Sequence, residues 1–262
     1  MKALYISMAF ACFHVVTVTA QQKLVTLDSY FNDEHRKDAA GKMESFHYKW
    51  EETDNNGYSI LGDLFKKNGA TLNTLYEAPS SANLKGSDVY IIVDPDTKKE
   101  SPAPHYITRK DVTAIEQWVK AGGVLVMLAN DSANTELPHF NELAAVFGLH
   151  FNNDIISHVV DDAHFEDGAI NIQDHPVFRT SKKIFMKDAC SISVKAPGKA
   201  VLKSKDAAII AAVDHGRGMV VAVGDPWLYN EYVNGRLPAA FENDKAAADF
   251  VKWVLAKVPA KK

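Results

Sequence analysis

Two unbroken apolar runs, VYIIV at 89–93 and VLVMLA at 124–129, constrain this chain more than any other feature. A strand with one wet face alternates apolar and polar residues. A run that is apolar at every position needs both faces covered, as in a parallel sheet between helices. The segment between the runs supplies such a helix. Residues 108–121 put Val112, Ile115, Trp118 and Val119 on one face, and Gly122-Gly123 stops it. Strand, helix, strand is the crossover unit of a parallel sheet, and its hand is right.

The rest of the chain extends this pattern. Residues 23–28 (KLVTLD) and 71–76 read as strands. Between them, 58–68 is an amphipathic helix with Ile60, Leu61, Leu64 and Phe65 on one face and Gly69 as its stop. Residues 29–57 are polar and aromatic with little periodicity. Residues 136–147 form another helix, ending at Gly148. From 150 to 205 the rhythm is lost. Short β-like runs and turn residues there predict a β-rich, antiparallel excursion on the edge of the main sheet. Residues 207–213 and 219–223 alternate around His215-Gly216-Arg217-Gly218, a hairpin signal. A helix over 244–257, with Ala247, Phe250, Val251 and Val254 inward, follows. The expected fold class is α/β: a doubly wound, mostly parallel sheet with helices on both faces.

The first twenty residues read as an address. Lys2 gives a positive start, an apolar run continues to Val18, and Val18-Thr19-Ala20 offers small residues at a cleavage site. The expected organisation is a signal peptide at 1–20 and one domain at 21–262. The apolar run falls short of the roughly 20 residues a spanning helix needs, so no membrane span is expected. Cleavage would leave Cys190 as the one cysteine, read as a buried small hydrophobe. An exported chain without disulfides fits a bacterial periplasm or exterior. Lys and Arg number 29 against 33 Asp and Glu, a net charge of −4, which argues against a nucleic-acid partner.

In open α/β sheets, ligands bind beyond the carboxyl ends of the strands. Four of the expected strands run straight into polar clusters: Asp28-Ser29-Tyr30-Phe31-Asn32, Asp94-Pro95-Asp96, Asn130-Asp131-Ser132-Ala133-Asn134, and Gly224-Asp225-Pro226-Trp227-Leu228-Tyr229-Asn230-Glu231-Tyr232. Carboxylates and amides bond hydroxyls, and Trp or Tyr faces stack on sugar rings. The expected ligand-binding residues are Asp28, Tyr30, Trp50, Asp96, Asn130, Asp131, Trp227, Tyr229, Asn230 and Glu231. Trp50 comes from a second aromatic cluster, Phe46-His47-Tyr48-Lys49-Trp50, read as a lid or wall. The same residue types also cap helices and form turns. Asp94 and Asp225 are the carboxylate pair for acid/base work, with His47 as a further acid/base candidate. The oxygens would suit Ca²⁺, but no D-x-D-x-D-G loop exists, and neither a metal nor a cofactor is expected. G-x-S-x-G, G-x-G-x-x-G, the phosphate-binding loop, H-E-x-x-H and C-x-x-C are all absent.

The stretches VTLDSYFN (25–32), YIIVDPD (90–96), WVKAGGVLVMLAN (118–130), DHPVF (174–178) and VGDPWLYNEY (223–232) resemble an uncharacterised exported bacterial domain. It belongs to the class I glutamine amidotransferase-like and trehalose-utilisation-like superfamily, and occurs alone or fused to unsaturated rhamnogalacturonyl (glycuronyl) hydrolases. The resemblance covers roughly 23–257. It implies a flavodoxin-like three-layer sandwich, a role in acidic polysaccharide breakdown and a glycoside hydrolase partner. In such amidotransferases a Cys nucleophile follows the strand matched here by 124–128, where this chain has Ala129-Asn130-Asp131. The loop matched by 224–231 lacks a His and keeps only Glu231. Amidotransferase chemistry is therefore not expected.

Two functional readings follow. One is an exported accessory protein of acidic, pectin-like, uronate-containing polysaccharide breakdown that binds oligosaccharide at the C-terminal edge of the sheet. Arg36, Lys49 and Arg236 are the cations it would offer a uronate. The alternative is a carboxylate-dependent glycan hydrolase or esterase on the same substrates, with Asp225 or Asp94 as base and His47 as acid.

Overall fold

The two apolar runs lie side by side near the middle of a seven-stranded sheet in a computed structural model that describes residues 22–260. The signal-peptide reading of 1–20 lies outside the described residues. The first half of the chain is β1 (Lys23–Asp28), β2 (His35–Lys37), β3 (Met43–Ser45), α1 (Ser59–Lys67), β4 (Ala70–Leu75), β5 (Val89–Val93), α2 (Arg109–Lys120), β6 (Val124–Leu128) and α3 (Leu137–Ala145). The second half begins with β7 (Leu149–Phe151), a 3₁₀ turn at Asp162–Gly168, β8 (Ala169–Asn171), β9 (Lys183–Phe185), β10 (Ile192–Val194) and β11 (Lys199–Ser204). It ends with β12 (Ala207–His215), β13 (Gly218–Val223), α4 (Asn230–Val233) and α5 (Asn243–Lys257).

The sheet order is β11-β12-β13-β6-β5-β1-β4. The five strands from β13 to β4 are mutually parallel, and β12 and β11 extend one edge antiparallel. The fold is thus mixed α/β around a large, mostly parallel central sheet. The β5 and β6 runs are apolar throughout because each strand serves two cores. Val89, Ile91, Val93, Val124, Val126 and Leu128 face one cluster with Leu61 and Phe65 of α1 and Phe250 and Val254 of α5. Tyr90, Ile92, Leu125 and Met127 face the other, with Ile115 and Val119 of α2 and Phe140 and Leu143 of α3. The connection from β1 through α1 to β4 runs outward in one direction, and that from β5 through α2 to β6 runs in the other. Right-handed crossovers of opposite direction place their helices on opposite faces, as found for α1 and α2.

Helix α2 starts on a reciprocal cap. The Asp111 carboxylate accepts from the Thr108 backbone N–H at 2.9 Å and from its Oγ1 at 2.7 Å. Asp111→Ala frees both donors at the helix start. A loss of about 1–2 kcal/mol is expected in urea denaturation at neutral pH.

Two regions depart from the sequence expectation. The stretch 29–57 contains a small antiparallel ribbon, β2 with β3, which was not anticipated because HRK and MES are short and polar. The excursion at 150–205 is β-rich, but only β11 joins the main sheet. Strand β7 pairs with β10 and β8 with β9 in separate two-stranded pieces. Among the described residues, no helix is long and apolar enough to cross a membrane.

Candidate functional site at the carboxyl edge of the sheet

Parallel pairing brings the carboxyl ends of β1, β5, β6 and β13 to one edge. The direction of the crossovers changes between β1 and β5. In open α/β sheets that is where a crevice opens for a ligand. Here the protein fills it. Lys49 is buried, and its ammonium donates to the Asn32 carbonyl at 2.6 Å and to Asn32 Oδ1 at 2.8 Å. Asn32 Nδ2 in turn donates to the Asp94 carbonyl at 3.0 Å. Asp28 and Asp96, the carboxylates flanking this plug, are buried as well. Burial pushes Asp28 up to about 6 against the pull of Tyr90, and Asp96 up to about 7 against the Asp33 amide.

The open cavity lies one strand over, beyond β6 and β13, with a volume of about 250 Å³. Asn130, Asp131, Asp225, Tyr48 and Tyr229 line it. The 150–205 excursion adds further lining residues, among them Asp161, Lys187 and Asp188. Arg236 closes the rim, paired with Glu231 and Asp162.

Asp225 follows Gly224, whose place no other residue could take. A Cβ there would stand 1.9 Å from the Cys190 carbonyl oxygen. Cys190 also donates its N–H to the Gly224 carbonyl at 2.9 Å, so the excursion is tied to the end of β13. Asp225 is only 4% exposed and its Oδ2 has no partner. Burial pushes its carboxyl well above the usual carboxylate range, and the charges of Asp94, Asp188 and Asp131 push the same way. The Lys187 backbone N–H opposes them.

Asp94 lies beneath Asn130. It accepts from Thr135 Oγ1 and from Asn130 Nδ2 at 3.3 Å. Burial raises its pKa too, against the pull of Thr135 and His47. Asp131 accepts from the Ala133 amide at 2.7 Å and Asn134 Nδ2 at 2.8 Å.

Backbone strain gathers around this site. His47, Tyr48, Asp94, Ser157 and Asp188 all hold φ between 43° and 67°. That left-handed region is costly for residues with side chains, most of all for a bulky one such as Tyr48. Tyr48 is held there by its amide bond to the Asn56 carbonyl at 2.8 Å and by ring contacts with Tyr58 and Tyr229.

The structure sorts the residues singled out by sequence. Asn130, Asp131, Asp225, Tyr229 and Glu231 meet at the cavity, with Asp94 below. The others serve the scaffold. Trp227 is fully buried against Phe178 and offers no face for stacking. Trp50 is a core residue beside Tyr58 and Phe65, donating Nε1–H to the Asn73 carbonyl. Asn230 is buried and stitches the chain at 52–60 to this edge through Glu52, Asp54, Ser59 and Ile60. Asp28 caps the turn after β1, accepting from the Phe31 amide and the Tyr90 hydroxyl. Asp96 accepts from the Asp33 amide, and Tyr30 stacks on His105. His47 is bonded to Glu34 and stacked behind Tyr48, outside the cavity. Burial pulls its pKa down, but the Glu34 carboxylate outweighs this and the net direction is up.

Sequence reasoning missed Tyr48, Lys187, Asp188 and Tyr232 as cavity residues. Tyr48, Lys187 and Asp188 sit in loops without periodicity, and Tyr232 on the single turn of α4.

A family model, Domain of unknown function (DUF4350), matches residues 51–234, and the chain belongs to that family. No curated protein matches it in sequence. Among solved structures, it is similar to the mmIFT52 N-terminal domain at 16% identity and TM-score 0.65, covering 89% of this chain and 97% of that one. It is also similar to a cytoplasmic protein from Salmonella typhimurium at 14% identity and TM-score 0.58, covering 92% and 100%. An exo-β-1,4-mannosidase from Opitutaceae bacterium strain TAV5 matches at 12% identity and TM-score 0.50, covering 92% of this chain and 37% of that one. At such identities the likeness is one of fold alone. These findings correct the resemblance drawn from the strand-end motifs. The family is DUF4350, not a glutamine amidotransferase-like one.

Proposed function

We propose that this chain is an exported accessory protein of polysaccharide breakdown that binds one saccharide unit in the cavity beyond β6 and β13. We read the sheet with its two helical faces as a flavodoxin-like three-layer sandwich, and the protein as a periplasmic or secreted bacterial one that works beside a glycoside hydrolase. The observation that carries the binding reading is the meeting of Asn130, Asp131, Asp225 and Tyr229 around a cavity of about 250 Å³. Pockets for small molecules usually run about 300–1,000 Å³, so the space suits a single ring. Carboxylate and amide groups beside tyrosine edges are the chemistry that holds hydroxyls.

The lining narrows the ligand. A uronate carboxylate would enter beside Asp131, Asp188 and Asp225, with Arg236 already held by Glu231 and Asp162. An uncharged or positive saccharide unit therefore fits better than the pectin-like ligand expected from sequence. Calorimetric titration of the purified protein with glucose, galactose, mannose and galacturonate tests this. Saturable binding of at least one uncharged sugar, with galacturonate weaker, is expected. Absence of any saccharide binding would overturn the reading.

One observation favours hydrolysis as a second reading. Burial pushes the Asp225 carboxyl well above the usual carboxylate range, the direction a general acid needs. In that case Asp225→Asn would abolish release of reducing sugar while leaving glycan affinity in place.

A further inference from the structure

We propose that the saccharide this cavity accepts is an amino sugar, its ammonium beside Asp225 and its ring against the tyrosines. The proposal rests on the saccharide reading above and goes further by assigning the ligand's charge.

Six carboxyl groups line the cavity, at Asp131, Asp161, Asp162, Asp188, Asp225 and Glu231. The side-chain amides and the guanidinium of the lining are already engaged, and Asp188 and Asp161 are met by His158 and His164. Asn130 Nδ2 is given to Asp94, and Asn134 Nδ2 to Asp131. The Arg236 guanidinium is given to Glu231 and Asp162. The Lys187 ammonium stands 3.9 Å from Asp188, close enough for an ion pair but beyond hydrogen-bond reach. The wall is therefore richer in acceptors than in donors, the tyrosine hydroxyls and Lys187 being the donors left to it, and a ligand that brings donors complements it. A hydroxyl brings one donor and can also accept. An ammonium brings three and cannot accept.

The Asp225 oxygen supplies an independent pointer. Its Oδ2 has no partner although the residue is almost fully buried and lines the cavity. An unanswered carboxyl oxygen in such a place costs stability until a donor arrives. Tyr48, Tyr229 and Tyr232 add aromatic faces and edges, which attract a desolvated cation as well as the C–H surface of a ring. A metal ion is the other cationic class. Among the described residues, no group of three or more His, Cys, Asp or Glu is placed to hold one. A lysine side chain would need an apolar sleeve for its methylenes, and this lining is mainly polar.

The experiment is a set of calorimetric titrations with glucosamine, glucose, N-acetylglucosamine and N-acetyl-lysine methylamide. Glucosamine is expected to bind at least tenfold tighter than glucose or N-acetylglucosamine, and raised salt is expected to shrink that preference. In Asp225→Asn, confirmed as folded by its melting profile, the preference should fall below about threefold. Should that variant not fold, the salt series on the unaltered protein decides. Equal affinity for glucose and glucosamine would overturn the amine assignment while leaving saccharide binding intact. Tighter binding of the lysine compound would overturn the sugar assignment. Binding of none of the four would overturn this proposal, and if galactose and mannose failed as well, the saccharide reading would fall with it.

Discussion

Trp227→Ala is expected to cost about 3–5 kcal/mol of folding stability, the range for deleting a buried aromatic. Trp227 is among the largest fully buried side chains and packs edge-to-face on Phe178 at 5.8 Å. It belongs to the core formed by α1, α5 and one face of the sheet. The alanine would leave a cavity beside Phe178. Chemical denaturation checks the figure. The affinity of the protein that remains folded is the informative second reading. A platform for sugar stacking would lose affinity with little change in stability. The buried position predicts the reverse: a large stability loss, with binding changed only as far as Asp225 shifts.

The second large effect concerns pH. Asp28, Asp96, Asp94 and Asp225 all have folded-state pKa values above their unfolded ones, chiefly through burial. For a group raised on folding, the stabilising contribution is complete below the unfolded value, about pH 4, and is lost as pH rises through the folded value. Asp28, at about 6, and Asp96, at about 7, therefore make stability decline between about pH 4 and pH 7. The slope is about 1.4 kcal/mol per pH unit for each group still holding its proton in the native state. Asp225 carries the decline further, because its folded pKa lies well above the carboxylate range. Asp225→Asn removes that group from the balance. The variant should match the unaltered protein near pH 4 and exceed it in stability at neutral pH and above. Urea midpoints across the range check this. A variant equally or less stable at every pH would show that Asp225 ionises freely, against its burial. A gain in stability here, paired with loss of binding, is the usual signature of a site held at a cost to the fold.

Much of the architecture was legible because it rests on periodicity. The runs at 89–93 and 124–129 became β5 and β6 within a residue, and helix α1 fell inside the expected 58–68. The polar clusters after β1, β5, β6 and β13 do share one edge. Which clusters face a cavity was not legible. That depends on the side chains that plug the crevice, and nothing local to Lys49 places it against Asn32. Trp227 read as an exposed platform because it follows a strand end. Its cover, Phe178, comes from the aperiodic excursion. Asn230 looked like a ligand donor, yet its amide is consumed by carbonyls about 175 residues earlier in the chain, a pairing only the folded chain reveals. The strand-end motifs that suggested an amidotransferase relative sit at turns that an α/β edge commonly uses. They marked the edge correctly and the family wrongly.

The most direct test of saccharide binding at the β6–β13 edge is the backbone amide shift map of the protein titrated with the tightest-binding sugar of the panel. Perturbations centred on Asn130, Asp131, Asp188 and Tyr229 are the expected result. Perturbations confined to the larger cleft around Asn171, His175 and Arg179, with the β6–β13 edge unmoved, would contradict it.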